Sequence, residues 1–203
     1  GKRLFDSGYS KEEIDVIESA FKGEKNKEEA IDHIKKELGC SEIEAFRAYA
    51  TRKGEWIDNL SGKDEERAEG AESFYAISKD EYKTVLNLSK FDEENVIRNI
   101  AENFGISEES AEELYNAVFK YEYSVNDLDD KRKEDLHTSG KWYGVEEEGY
   151  LIARNAIKTA KGEKDQYGNT ISGSAKAEAI RNIAKQLGID EEEAAVYYLA
   201  AKG

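Results

Sequence analysis

The chain has 203 residues, enough for one or two domains with a sizeable core, and its net charge of −15 argues against a uniformly basic face for nucleic acid or an anionic membrane. Charged residues make up 37% and hydrophobic residues 38%, a balance that would indicate disorder if the apolar residues were not periodic and capped. A single cysteine, Cys40, excludes an internal disulfide, and the absence of proline suits uninterrupted helices.

In chain order, Gly1–Tyr9 reads as an extended lead-in, with Leu4, Phe5 and Tyr9 tucked against the first module. Ser10 begins SKEE, a capping box, and opens a helix to about Lys22 with Ile14, Ile17 and Phe21 on one face. Two further helices follow, Lys27–Leu38 and Ser41–Arg52, joined at Gly39. Glu55–Ala76 is a charged connector. Ser78 opens SKDE, a second capping box, and a helix with Tyr82, Val85 and Leu86 inward. A helix pair joined at Gly105 completes that module. Glu122–Gly144 is a second connector, with a short helix placing Leu128 and Leu136 inward and with Trp142 and Tyr143 docked on a neighbour. A last module begins near Val145, with Tyr150, Leu151, Ala153, Arg154 and Ile157 on its first helix. A loop, Gly162–Ser174, has a plausible tight turn at Tyr167–Thr170. The final helix pair is joined at Gly188.

The three glycine-joined pairs align. Ile31, Ile97 and Ile180 coincide, as do Ile34, Ile100 and Ile183. Leu38, Phe104 and Leu187 close the first helix, and the glycine is followed by Cys40, Ile106 or Ile189, as a Schellman ending prefers. Ser41, Ser107 and Asp190 supply the next cap, with Ala45, Ala111, Ala194 and Tyr49, Tyr115, Tyr198 on the packing face. Such self-similarity predicts an all-α chain of three tandem three-helix, helix-turn-helix-like modules joined by charged connectors. The expected division is 1–54, 55–77, 78–121, 122–144 and 145–203.

A DNA-reading helix would need donors in the first turn after each glycine. Those turns hold Ser41-Glu42-Ile43-Glu44, Ser107-Glu108-Glu109-Ser110 and Asp190-Glu191-Glu192-Glu193, which complement the helix dipole and repel phosphate. No direct nucleic-acid binding is therefore expected. The loop start Glu163, Asp165, Tyr167, Gly168 has the spacing of a calcium loop. Tyr167 replaces an oxygen ligand, and Ser174 stands where a bidentate Glu belongs, so no metal or cofactor is expected. Cys40 occupies an apolar repeat position and reads as a buried thiol; His33 reads as exposed, and His137 lies in a polar connector. These residues form no nucleophile–base pair, so the chain reads as a non-enzyme. Tyr121, Tyr123, Trp142, Tyr143 and Tyr167 fall outside the periodic core. They either pack modules together or form a partner-binding surface.

No apolar run approaches the ~20 residues of a membrane helix, and no signal peptide is visible. With Gly1 in place of Met, the chain reads as a segment of a longer protein or a trimmed one. Residues 150–203 resemble a helical segment near the C-termini of long Firmicutes phage and prophage proteins, the large polyvalent or minor structural proteins. The resemblance rests on Tyr150-Leu151, Gly168-Asn169, Thr170-Ile171-Ser172-Gly173-Ser174 and Tyr197-Tyr198-Leu199; Ala175-Lys176-Ala177-Glu178 stands where that family often has lysines. It implies a structural or virion-associated parent, located in the virion or the host cytoplasm, with no catalytic residue to carry over. The expected function is a scaffold or protein-binding segment with a phage or host protein partner. The alternative is an acidic inhibitor that mimics nucleic acid and blocks a host defence protein.

Overall fold

The computed structural model describes residues 2–23 and 26–203. The chain is all-α. Among the described residues there are twelve α-helices: α1 (Lys2–Asp6), α2 (Lys11–Gly23), α3 (Lys27–Leu38), α4 (Glu42–Lys53), α5 (Gly62–Tyr75), α6 (Lys79–Phe91), α7 (Val96–Phe104), α8 (Glu108–Phe119), α9 (Asp130–Tyr143), α10 (Glu147–Thr159), α11 (Ser174–Leu187) and α12 (Glu191–Lys202). A 3-10 turn covers Val125–Asp127. The described residues form no strand, only an isolated antiparallel bridge between Lys164 and Thr170. None of the described helices is long and apolar enough to cross a membrane.

Local chemistry sets the helix ends. Ser10, Ser41 and Ser78 each accept a hydrogen bond from the backbone N–H of Glu13, Glu44 or Glu81, and each Glu side chain accepts from the serine N–H in return. Asp190 caps α12 by accepting from Glu193 N–H at 2.8 Å. Gly39, Gly105 and Gly188 adopt one left-handed conformation, with φ of 61°, 63° and 65°. The next N–H, from Cys40, Ile106 or Ile189, donates to the carbonyl of Lys35, Ala101 or Ala184.

The chain divides into two compact units, Gly1–Leu60 with Lys83–Glu112, and Ser61–Tyr82 with Glu113–Gly203. The divisions within the middle third fall inside α6 and α8. In the first unit, α2, α3 and α4 enclose Ile17, Ile34, Ala45 and Phe46. The rings of Phe21 and Tyr49 stack at 4.9 Å, and Phe91 meets Phe46 at 4.8 Å. In the second unit, α10, α11 and α12 pack mutually around Tyr150, Leu151, Ile183, Ala194 and Tyr198, and α9 lies on α12.

Several local expectations change. The lead-in is helical at Lys2–Asp6, so Leu4 is fully buried while Phe5, on the opposite side, is exposed. Both connectors contain helices of 14 residues, α5 and α9. Leu128 is buried as expected, but Trp142 and Tyr143 are not docked on a neighbour: they lie in the last turn of α9, just before its left-handed Gly144 cap, 69% and 73% exposed. Cys40 is half-buried rather than enclosed, and His33 is half-buried with Nε2 3.4 Å from Ser19 Oγ.

The stretches 62–91 and 130–159 follow one plan. Each begins with a 14-residue helix ending in an aromatic residue and a tyrosine, Phe74-Tyr75 or Trp142-Tyr143. A left-handed residue follows, Ala76 (φ 56°) or Gly144 (φ 66°). Next come a buried β-branched residue, Ile77 or Val145, and a 13-residue helix. That helix carries a buried Tyr (Tyr82, Tyr150) and a buried Asn (Asn87, Asn155) at matching positions. The backbone N–H groups of Ile77 and Val145 donate to the carbonyls of Ala71 and Ser139, which also match.

Candidate partner-binding surface

The paired asparagines show how this plan holds extended chain. Asn87 accepts from Ile57 N–H at 2.9 Å and donates to Ile57 C=O at 3.0 Å. Asn155 does the same to Glu122, at 2.7 and 3.0 Å, and its amide also donates to Tyr75 Oη at 3.0 Å. A side-chain amide carries one acceptor and one N–H pair, so it can imitate a neighbouring strand and satisfy both polar groups of one residue. Beside the second clamp, Glu122 Oε1 takes a 2.7 Å ion pair from Lys158, and Glu122 Oε2 lies 3.7 Å from Arg154 Nε. Arg154 also donates to the carbonyl of Ala201 at 3.1 Å.

Next to this clamp, Tyr121 and Tyr123 close over the end of α5. Tyr123 lies 5.5 Å, ring to ring, from Phe74, and Tyr121 lies 5.0 Å from Tyr75. Tyr123 also seats on Gly70, where an added Cβ would stand 2.5 Å from Tyr123 Cβ. Here glycine is required by close approach. Arg67 donates to the carbonyls of Val118 and Tyr121 at 2.9 and 2.8 Å and spreads over the Tyr123 ring. Burial pushes the Tyr75 and Tyr123 hydroxyls well above the ordinary phenol range, so both stay protonated. Tyr123 Oη donates to Ala117 C=O at 2.6 Å.

The five candidate aromatics therefore separate. Tyr123 is buried and Tyr121 half-buried, and both pack the second unit internally. Trp142 and Tyr143 stand together in solvent, with Lys141 Nζ over the indole at 5.6 Å. Tyr167 is 79% exposed at the tip of the loop between α10 and α11. That loop is tightly braced. Glu178 accepts from Lys161 and Gly162 N–H, Ser174 Oγ accepts from Glu163 N–H, and Lys164 donates to Thr170 Oγ1. Asp165 Oδ1 accepts from both Tyr167 and Asn169 N–H, so the carboxylate expected at a calcium-loop position is engaged by backbone. A rigid loop rich in Gly, Asn, Ser and Thr that presents one tyrosine loses little entropy when that ring is bound.

The first unit has a cleft of about 360 Å³ lined by Tyr9, Glu13, Leu38, Cys40, Glu44, Arg47 and Ala48. Burial, helped by the nearby Glu44 carboxylate, pushes the Cys40 thiol above its usual value, opposite to what an activated nucleophile requires. No group of three or more His, Cys, Asp or Glu among the described residues is placed to hold a metal ion. Residue-by-residue reading missed the two Asn clamps, because a lone Asn within a helix looks like polar surface. The signal was present in the shared spacing of Tyr82 and Asn87 with Tyr150 and Asn155.

No family model, curated protein or solved structure matches this chain.

Proposed function

We propose that the chain is a non-enzymatic helical repeat segment that scaffolds or binds protein in a phage-derived assembly. Three tandem three-helix modules, each built on a glycine-joined pair, are the architecture of this reading. The observation that carries it is the pair of solvent-facing aromatics, Trp142 and Tyr143, on an otherwise highly charged surface. Large exposed rings raise the cost of solvation unless a partner covers them, and aromatic anchors dominate protein interfaces. The braced Tyr167 loop supports the same reading. Nucleic-acid mimicry is less well supported, because acids are interleaved with cations, as in Asp32–Lys36, Glu18–Arg52 and Glu69–Lys79. A mimic needs carboxylates in an unbroken row.

The test is affinity capture with the whole chain from infected or induced cells, followed by reconstitution from purified components. A single phage or host protein should re-form the complex, and Ile183→Asp, which places a charge in the core of the second unit, should abolish it. Turnover of a substrate by the purified chain, lost on His33→Ala or Cys40→Ala, would overturn the reading.

A further inference from the structure

We infer that the cleft of the first unit binds a free aromatic α-amino acid, with its ring beside Ala48, its ammonium group between Glu13 and Glu44, and its carboxylate on Arg47. This goes beyond the reading of the chain as a protein-binding segment and does not depend on it.

The last module shows what such a place holds. Gly8 and Gly144 are both left-handed, at φ 89° and 66°, and each precedes a 13-residue helix, α2 or α10, by the same interval. Glu13 therefore matches Gly149. In the same way Ala48, beside Tyr49, matches Tyr197, beside Tyr198. In the last module the Tyr197 ring seats on Gly149, so closely that no Cβ would fit between them. In the first module Ala48 supplies only a methyl group, and the matching place is the cleft of about 360 Å³. That is at the small end of the range for ligand sites, roughly 300–1,000 Å³.

The polar groups around the cleft define the rest of the occupant. Glu13 Oε1 and Glu44 Oε2 accept from Ser10 and Ser41 N–H, which leaves the second oxygen of each carboxylate unengaged. Arg47 makes no hydrogen bond or ion pair among the described residues. Its guanidinium lies over the Trp56 ring at 5.4 Å, a stacking that leaves the N–H edge free. Tyr9 Oη also has no hydrogen-bond partner among the described residues, and burial pushes the hydroxyl above its ordinary value, so it stays protonated and can donate or accept. Glu13 and Arg47 stand where the last module has Gly149 and Val196, so the first module has opposite charges where the last has a packed ring. Opposite charges above a floor of Leu38, Ala48 and the Tyr9 ring suit a zwitterion with an apolar body, and Tyr197 identifies that body as an aromatic ring. The groups converge at the start of α4. Helix α1 meets the other end of α4, where Arg3 donates to Arg52 C=O at 3.5 Å.

Cys40, the single cysteine, lines the cleft, so its alkylation by N-ethylmaleimide on the whole chain reports occupancy. L-Phenylalanine should slow alkylation saturably. Phenylalaninamide lacks the carboxylate and stands for the first residue of a peptide; N-acetylphenylalanine lacks the ammonium group. Each should bind about tenfold more weakly or worse, the scale of a lost hydrogen bond to a charged group. L-Leucine, without a ring, should also bind more weakly. Arg47→Met, at an exposed position, should remove the preference for phenylalanine over its amide. Ala48→Tyr with Glu13→Gly, which copies Tyr197 on Gly149, should abolish protection by phenylalanine, with circular dichroism checking that the helices remain. If that variant does not fold, Arg47→Met still decides. Absence of saturable protection, equal affinity for phenylalanine and its amide, or an unchanged preference in Arg47→Met overturns the inference. Calorimetric binding of phenylalanine that leaves Cys40 alkylation unaltered places the ligand elsewhere and also overturns it. Failure to reconstitute a protein complex sinks the broader reading alone.

Discussion

At the end of α5, Phe74 and Tyr75 are covered by Tyr121 and Tyr123, and Tyr75 is tied to Asn155. At the end of α9, Trp142 and Tyr143 stand in solvent, although the helix length, left-handed cap and next helix all match. The same local sequence plan therefore produces an interior contact in one place and an open surface in another. What differs is whether an extended stretch of chain lies across the helix end. Where it does, an asparagine on a later helix holds that stretch by both backbone groups. Exposure of an aromatic pair is thus decided by topology rather than by the pair itself.

The largest effect should come from the clamp that secures the cover. Asn155 is fully buried, and replacing it with Ala strands the N–H and C=O of Glu122 and removes a partner from Tyr75 Oη. Each buried orphan costs about 1–3 kcal/mol, so Asn155→Ala should destabilise by about 3–5 kcal/mol in urea unfolding. Asn87→Ala should cost about 1–2 kcal/mol by the same principle, because Ile57 is half-exposed and its backbone can turn to water. Equal losses would mean that the two clamps are not distinguished by burial.

These clamps also mark what could be read from sequence. The capped helix starts at Ser10, Ser41, Ser78 and Asp190 and the left-handed glycines were legible, because each depends on residues within a few positions. The clamps depend on a side chain meeting backbone about thirty positions away, which leaves no local pattern. The five aromatics outside the periodic core do not behave as one group: Tyr121 and Tyr123 pack inside the second unit, and Trp142, Tyr143 and Tyr167 are exposed. Composition does not divide them, since Tyr123 belongs to the stretch that crosses the end of α5, whereas Tyr143 ends a helix and stands in solvent. Leu4 is tucked in as its apolar character predicts, whereas Phe5 faces solvent because the lead-in is helical and adjacent helical residues point in different directions.

An intermediate effect separates the covered pair from the open one directly. Tyr75→Ala removes a ring packed at 5.0 Å on Tyr121 and the hydrogen bond from Asn155, and should cost about 2–3 kcal/mol, below the range for a fully buried aromatic. Tyr143→Ala on the isolated chain should change stability by no more than about 0.5 kcal/mol, as for a surface site. Thermal unfolding followed by circular dichroism reads both. A comparable loss at Tyr143 would show that the end of α9 is covered in solution and would remove the contrast.

The smallest effect concerns the caps that turn each helix into the next. Ala76 and Gly144 occupy the same place, in the left-handed region, at φ 56° and 66°. Ala76 is the one non-glycine residue with positive φ among the described residues. An L-residue there brings Cβ against the following carbonyl oxygen, at a cost of about 1–2 kcal/mol, part of which glycine returns through the greater freedom of its unfolded chain. Ala76→Gly should therefore stabilise by about 0.5–1 kcal/mol. Gly144→Ala should destabilise by a similar amount, since no atom beyond the adjacent residues lies within 4 Å of the added Cβ and only local backbone strain acts. Opposite signs of near-equal size in the two substitutions would establish that the caps are interchangeable, leaving the covering segment as the source of the difference between the two helix ends. If Ala76→Gly destabilises instead, the methyl group of Ala76 contributes packing that Gly144 does without, and the two ends differ already in their turns.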